Sequence, residues 1–461
     1  MPPSRWAILV LAASCNGTSL RHEVADGSSD LVDGDGPLAD GSETAPDGDA
    51  ALDAIVGCSS AGALDPSFGQ GGVVAPITTG TAVATSVLIE PASARILVAA
   101  GAPDRATSSF TLLRLTADGQ LDPSFAEDGI SRQCIAGHAC WLEDIALQGD
   151  GKIIGVGGVN TVDSARIGLL RYDADGELDA TFGVGGVVLD AAAPLSYGVA
   201  VVVDEQGRIV VTAEAADGFE PDAAGYFTTV RYLANGARDP SFGVNGVAQA
   251  AFGEGKHIAR DLALDPDGRI VVAGVEVSPA PATARFEVVR YGPTGIRDPT
   301  FGSMGVTTVP FEGGASATGV SADATGRITL AGNVGGGGAL AQLTSNGDLD
   351  LSFAASGSIV ISTAPDRLSF EGVHRLPDGG FIVGGRSTRA AGVAWAAVGR
   401  YGPDGTPAPA FGTDGLVLAA PVYSWNAGHD LVMDASGRIV VVGAHGASPD
   451  QLELLVARLC P

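Results

Sequence analysis

A short motif returns seven times along this 461-residue chain, and nothing else in it constrains the fold as strongly. It reads Leu64-Asp65-Pro66-Ser67-Phe68-Gly69, then Leu121-Asp122-Pro123-Ser124-Phe125 and Leu178-Asp179-Ala180-Thr181-Phe182-Gly183. Arg238-Asp239-Pro240-Ser241-Phe242-Gly243 and Arg297-Asp298-Pro299-Thr300-Phe301-Gly302 follow. Leu349-Asp350-Leu351-Ser352-Phe353 and a worn copy ending Ala410-Phe411-Gly412 complete the series. The anchoring Phe residues stand 57, 57, 60, 59, 52 and 58 residues apart. A period of that size marks an array of like supersecondary units that bury their faces on one another.

One unit shows what is repeated. Asp261-Leu262-Ala263-Leu264-Asp265 is a short apolar strand, and Pro266-Asp267-Gly268 carries tight-turn chemistry. Arg269-Ile270-Val271-Val272-Ala273-Gly274 is apolar on both faces, as a strand buried between neighbouring sheets must be. Phe286-Glu287-Val288-Val289-Arg290-Tyr291 is a third strand, and Val306-Thr307-Thr308-Val309 a fourth. Between them, Asp298 before Pro299 predicts one helical turn ended by Gly302 or Gly305, with Phe301 as a wedge between units. Four antiparallel strands per unit, repeated radially, predict an all-β, seven-bladed β-propeller over 58–461.

The chain ends predict how the ring closes. Gly72-Val73-Val74-Ala75 precedes any complete unit, while the last unit stops after its third strand, Leu454-Leu455-Val456-Ala457-Arg458. Pairing the two completes the seventh blade and removes a free sheet edge. In repeat register Cys58 and Cys460 fall within about one residue of each other, which predicts a disulfide between them. Cys134 and Cys140 would staple a loop of the second unit; the competing metal reading, with His138, lacks a fourth ligand.

Composition bounds the surroundings. A formal charge of −27 argues against nucleic acid as a partner. Arg5 followed by the apolar run Trp6 to Ala13 and then Ser14-Cys15 reads as an export segment over 1–15. Leu11-Ala12-Ala13-Ser14-Cys15 resembles a bacterial lipobox, with Ala12 where Leu is usual, and implies lipidation of Cys15. Residues 16–57 hold ten Asp or Glu against one Arg and few large apolar side chains, the composition of a disordered acidic tether. Disulfides agree with export to an oxidising compartment.

Three linked motifs give the repeat a family likeness: Asp267 to Gly274, the strand end Arg-Tyr (171–172, 231–232, 290–291 and 400–401), and Leu-Asp-Pro-Ser-Phe-Gly. The chain resembles the delta-60 repeat propellers of bacterial secreted and surface proteins. Gln342 replaces the Arg in the fifth unit and Ala408 the Asp before Phe411. The resemblance implies a propeller and no assigned chemistry.

Candidate chemistry sits on the first strand of each unit. Aligned on their turns, the seven strands present Ser86, Asp144, Ala200, Asp261, Gly319, Gly372 and Asp430 at one level, preceded by Glu143, Arg260, Glu371 and His429 among others. If these strands are innermost, Asp144, Asp261 and Asp430 with Glu143 and His429 form a collar that could bind a cation or ligand, or perform acid–base chemistry. The plainer expectation is that these groups face channel water and satisfy backbone groups of adjoining blades. Arg114, Arg171, Arg231, Arg290, Arg400 and Arg458 recur too regularly for a ligand site and are expected to clamp the Asp of the Phe motif. No nucleophile elbow, phosphate loop or zinc spacing is present, and neither cofactor nor resident metal is expected. The expected function is a monomeric, exported, lipid-anchored binding or scaffold module at the bacterial outer membrane, periplasm or cell surface, meeting the membrane only through its anchor, with simple secretion as the alternative. Its ligand would be a protein, glycan or small molecule. The alternatives are a hydrolase or lyase using the collar, and a purely structural surface protein.

Overall fold

Alternation of β-branched and small residues, punctuated by Asp-Gly turns, makes every unit a four-stranded antiparallel meander whose strands pair in chain order. The computed structural model describes residues 58–461 apart from 75–81, 102–108, 134, 136–137, 162–163, 218–224, 251–254, 280–281, 390–392, 420–424 and 449–450. The expected export segment 1–15 with Cys15, the acidic tract 16–57 and Cys134 lie outside the described residues, so the expected lipidation and Cys134–Cys140 pairing lie there too. Cys140 itself is buried.

Blades 1 to 7 carry their strands within 83–133, 139–190, 195–250, 256–309, 315–361, 367–419 and 425–459. The first strands, Val83–Ile89, Ala139–Leu147, Leu195–Val203, Lys256–Leu264, Ala315–Ala322, Arg367–Arg375 and Trp425–Met433, touch one another consecutively, and the seventh touches the first. They are therefore the inner ring of a seven-bladed propeller. The seventh sheet has three strands of its own. Its outer edge is met by residues 72–74: Arg458 N–H donates to Gly72 O at 2.9 Å and Val74 N–H to Val456 O at 2.9 Å. Cys58 and Cys460 are disulfide-bonded, with Cα atoms 5.7 Å apart. Such a bridge persists in an oxidising environment.

Blades are joined through the Phe motif. Phe68, Phe125, Phe182, Phe242, Phe301 and Phe353 are fully buried, each wedged towards the next blade. At Gly176 the backbone has φ +88°, and a Cβ there would lie 2.8 Å from the Phe125 ring, so both conformation and space require glycine. The capped turn forms as one hydrogen-bonded turn and goes no further: Asp298 Oδ1 accepts the N–H and hydroxyl of Thr300 at 2.9 and 2.7 Å, Phe301 N–H donates to Asp298 O at 3.1 Å, and Gly302, at φ +49°, ends it.

Above five of these rings lies an Arg from the third strand. Arg231 is typical: its guanidinium sits 4.6 Å over Phe242 and donates Nε to Asp239 at 2.8 Å and Nη2 to Ser241 Oγ at 3.2 Å. Its Nη1 donates to Pro293 O on the next blade. Arg114, Arg171, Arg290 and Arg458 repeat the arrangement. Arg400 does not, because its acid is Ala408; in blade 5 the acid Asp350 remains but Gln342 has replaced the Arg.

Candidate functional site

The inner edge of a propeller exposes one row of backbone groups per blade to the central channel, and these need partners. In every blade the first strand carries a β-bulge at the same level, with its register breaking between residues 84/86, 142/144, 259/261, 317/319, 370/372 and 428/430, and opposite 212/213 in blade 3. The bulged residues are Thr85, Glu143, Val199, Arg260, Thr318, Glu371 and His429. The column Ser86, Asp144, Ala200, Asp261, Gly319, Gly372, Asp430 follows directly. Bulges re-aim side chains and free backbone groups, which is why polar residues gather at this level.

The three Asp residues close the freed edge. Asp144 Oδ1 accepts Ile145 N–H at 2.8 Å, while Oδ2 accepts Val201 N–H on blade 3 at 2.7 Å. Asp261 accepts Leu262 N–H and, on blade 5, Val320 N–H, both at 2.7 Å. Asp430 accepts Leu431 N–H at 2.8 Å and, on blade 1, Val87 N–H at 2.9 Å. Blades 2, 4 and 7 thus donate a carboxylate to blades 3, 5 and 1, whose own column residues, Ala200, Gly319 and Ser86, are small. Blade 6 neither supplies nor receives one: a Cβ on Gly319 would already meet the Gly372 backbone at 3.1 Å.

Burial raises all three carboxyl pKa values, Asp261 and Asp430 to about 7, against the opposing pull of the backbone N–H donors. Each of the latter two also feels the charge of Asp144, and Asp261 that of Asp430, so the collar acids share one field. Glu143 and His429 do not join them as a ligand set. Glu143 accepts the Trp141 indole N–H at 2.8 Å, and His429 Nδ1 contacts Ala84 O at 3.1 Å. Only the protonated nitrogen can donate to a carbonyl, so His429 carries its proton on Nδ1. Burial pushes the His429 pKa down; Glu371 opposes this and Arg386 adds to it. Among the described residues no three His, Cys, Asp or Glu converge closely enough to hold a metal ion.

The bulge residues stand instead in two polar arcs at the channel entrance. In blades 2 to 4, Trp141 and Tyr197 meet edge to face with centroids 5.6 Å apart. Tyr197 donates to Glu214 at 2.6 Å, and Arg260 lies 3.5 Å from the same carboxylate. In blades 6 and 7, Ser369 donates to Glu371 at 3.1 Å beside Arg386 and His429. Sequence reasoning found Glu143, Arg260, Glu371 and His429 but missed Trp141 and Tyr197. Their spacing, two residues before the bulge on the same face, was the available signal. Glu214 and Arg386 come from second strands, opposite Tyr197 and Ser369, and only strand register reveals them. Trp141, 5% exposed, is packed behind Tyr197, so the arcs offer one partly exposed tyrosine ring with carboxylates and guanidinium donors, a set suited to hydrogen-bonding a polar ligand.

The two ends of the channel differ. First and second strands are joined by five residues in six blades and six in the first, all at the end where the Phe motifs lie. At the entrance end, the second-to-third connections span two to eight residues. The repeats are uniform at one face and diverse at the other.

A family model described as a domain of unknown function (DUF5122) with a β-propeller fold matches residues 95–125, 148–182 and 324–353. The chain thus shows the features of a propeller family. Comparison with curated proteins finds no match. Among solved structures it is similar to a protein of unknown function from Dyadobacter fermentans, at 12% identity, covering 84% of this chain and 97% of that one, TM-score 0.47. A puromycin hydrolase mutant complexed with PGG is 15% identical, TM-score 0.49, with 87% of this chain covering 55% of that protein. The PQQ-bound aldose sugar dehydrogenase of Streptomyces coelicolor is 15% identical over 68% of this chain and 90% of its own, TM-score 0.41. Likeness at this level carries no argument about activity.

Proposed function

We propose that this chain is a non-catalytic binding propeller of the delta-60 repeat type, exported and anchored to the bacterial envelope through Cys15, which captures a polar ligand at the channel entrance. What supports the reading is the division of labour among the polar side chains. Both oxygens of Asp144, Asp261 and Asp430 already accept backbone N–H groups, so the collar acts as structure. The residues at the entrance differ from blade to blade, as recognition of an asymmetric ligand requires. The partly exposed Tyr197 ring beside carboxylates and guanidinium groups favours a glycan or a small hydroxylated molecule.

A glycan and metabolite panel screened by thermal shift tests it, because a ligand bound only by the folded ring raises the melting temperature by mass action. The expected hit loses its shift in Arg260→Ala and Tyr197→Phe while both variants melt close to the parent. A hit that survives both changes, or turnover of the ligand that stops in Asp261→Asn, sinks the proposal. Export is tested separately by following membrane association of the full chain and its Cys15→Ala variant.

A further inference from the structure

The fold supplies its own template for a second site. In five blades one guanidinium, one carboxylate, one hydroxyl and one backbone N–H form a closed clamp. Asp239 shows the anion's place: it accepts Arg231 Nε at 2.8 Å, Ser241 N–H at 2.9 Å and Ser241 Oγ at 2.7 Å. In several blades a second cation faces the same carboxylate, as Arg95 faces Asp122 at 3.1 Å, Lys152 faces Asp179 at 2.6 Å and Arg438 faces Asp65 at 3.0 Å.

Blade 6 keeps the guanidinium and the backbone N–H and loses the carboxylate and the hydroxyl. Ala408 stands where the Asp belongs, Ala410 where the hydroxyl belongs, and Gly380 where the second cation belongs. Among the described residues Arg400 makes none of the clamp bonds and does not stack on Phe411, and its ionic neighbour is the exposed Asp378 at 3.7 Å. Its side chain is 29% exposed, whereas those of the five clamped Arg residues are 1–8% exposed. A pocket of about 410 Å³ opens there, lined by Arg400, Ala408, Ala410, Phe411, Pro407 and Ala61, with the exposed Asp378 on its rim. Ala61 belongs to the segment that meets the chain's other end: Gly62 N–H donates to Cys460 O at 3.0 Å, next to the Cys58–Cys460 bridge. The regular turn that would receive Arg400 from the next blade is therefore split between the two termini.

We propose that this pocket binds a small carboxylic acid, whose carboxylate takes the place vacated by the Asp side chain. The acid would receive Arg400 Nε and Nη2 side by side, as planar guanidinium and carboxylate groups prefer. It would also accept the Ala410 N–H, whose counterparts in the sister blades donate to Asp. The apolar wall of Pro407, Ala408 and Phe411 accommodates the acid's alkyl part, which selects a monocarboxylate over a bare inorganic anion.

Acetate is the minimal probe, since it reproduces the missing Asp side chain beyond Cα. Titration calorimetry on the full chain compares sodium acetate and propionate with acetamide and with sodium chloride at equal ionic strength. Saturable binding of both acids, none of acetamide, and at least about tenfold weakening in Arg400→Gln are expected from the loss of a charge-assisted pair. Ala408→Asp is the decisive variant: a tethered carboxylate should abolish acetate binding and raise the melting temperature by restoring the clamp. Absent saturable binding in the parent, equal binding of acetamide, or undiminished acetate affinity in Ala408→Asp overturns the proposal.

Discussion

Replacing Asp261 by Asn should change the pH dependence of stability more than stability itself. Asp261 and Asp430 hold their protons up to about pH 7 in the folded ring, against an ordinary value of 3.8. Burial is the main cause, with the neighbouring collar charges adding to it. The folded state therefore binds protons more tightly than the unfolded chain across this interval. The contribution of each Asp is complete below about pH 4, falls as the pH rises, and is gone once the pH passes about 7. About three pK units correspond to ~4 kcal/mol, lost at about 1.4 kcal/mol per pH unit per group. The two groups repel each other, so together they yield less than twice that figure. The clamp acids act in the opposite sense. At Asp239 burial works to raise the pKa, but Ser241 and Arg231 overcome it and hold the carboxyl below its usual value. Its contribution is present above about pH 4 and is lost as the pH falls below that. Urea unfolding at intervals between about pH 4 and about pH 8 gives the slope directly. Between mildly acid pH and neutrality Asp261→Asn should lose less stability, or gain more, than the parent; taking the difference cancels buried histidines such as His429, whose lowered pKa acts in the opposite sense. An unchanged slope in the variant would refute the role assigned to the collar.

Other consequences follow from the same contacts. Arg231→Met leaves Asp239, 3% exposed, as a buried charge without its cation, and should cost about 3–5 kcal/mol by denaturant titration. Adding Asp239→Leu to that variant should recover most of the loss, because an apolar pair replaces an orphaned charge; no recovery would mean that the clamp's value is not electrostatic. Breaking the terminal bridge with Cys58→Ala and Cys460→Ala opens a loop closed over 402 residues, for which chain entropy sets an upper figure of about 6 kcal/mol. Limited proteolysis of that double variant should cut first near residues 72–74.

The architecture was legible because a sixty-residue rhythm admits few solutions and each linked motif had one structural meaning. Phe242 as a wedge, Arg231 as a clamp and Cys58 opposite Cys460 all follow from register counted along the chain. The inner collar was legible to the residue, since turn alignment places Asp144, Asp261 and Asp430 at one level. Its purpose was harder to see. A bulge leaves no mark in a single strand's composition, and the N–H groups that the carboxylates satisfy, on Val201, Val320 and Val87, belong to other blades. The turn expected after Asp298 stays a single turn for a local reason: Asp298 caps it, but Gly302, four residues on, takes a left-handed conformation, so no helix propagates. The empty clamp at Arg400 was visible as a substitution, Ala408, but its meaning needed the pocket and the split turn beside it.

Seven is an odd number, and the collar is tiled by pairs. Couples made of blades 2 and 3, 4 and 5, and 7 and 1 leave blade 6 a bachelor, and no rearrangement of the same stapling rule could avoid one. The leftover blade is also the one whose clamp keeps its Arg but lacks its acid, beside a fifth blade that keeps the acid but lacks the Arg, so both broken clamps fall in adjoining sectors. Parity thus dictates that one blade stands alone, and the glycine at position 372 makes it the sixth.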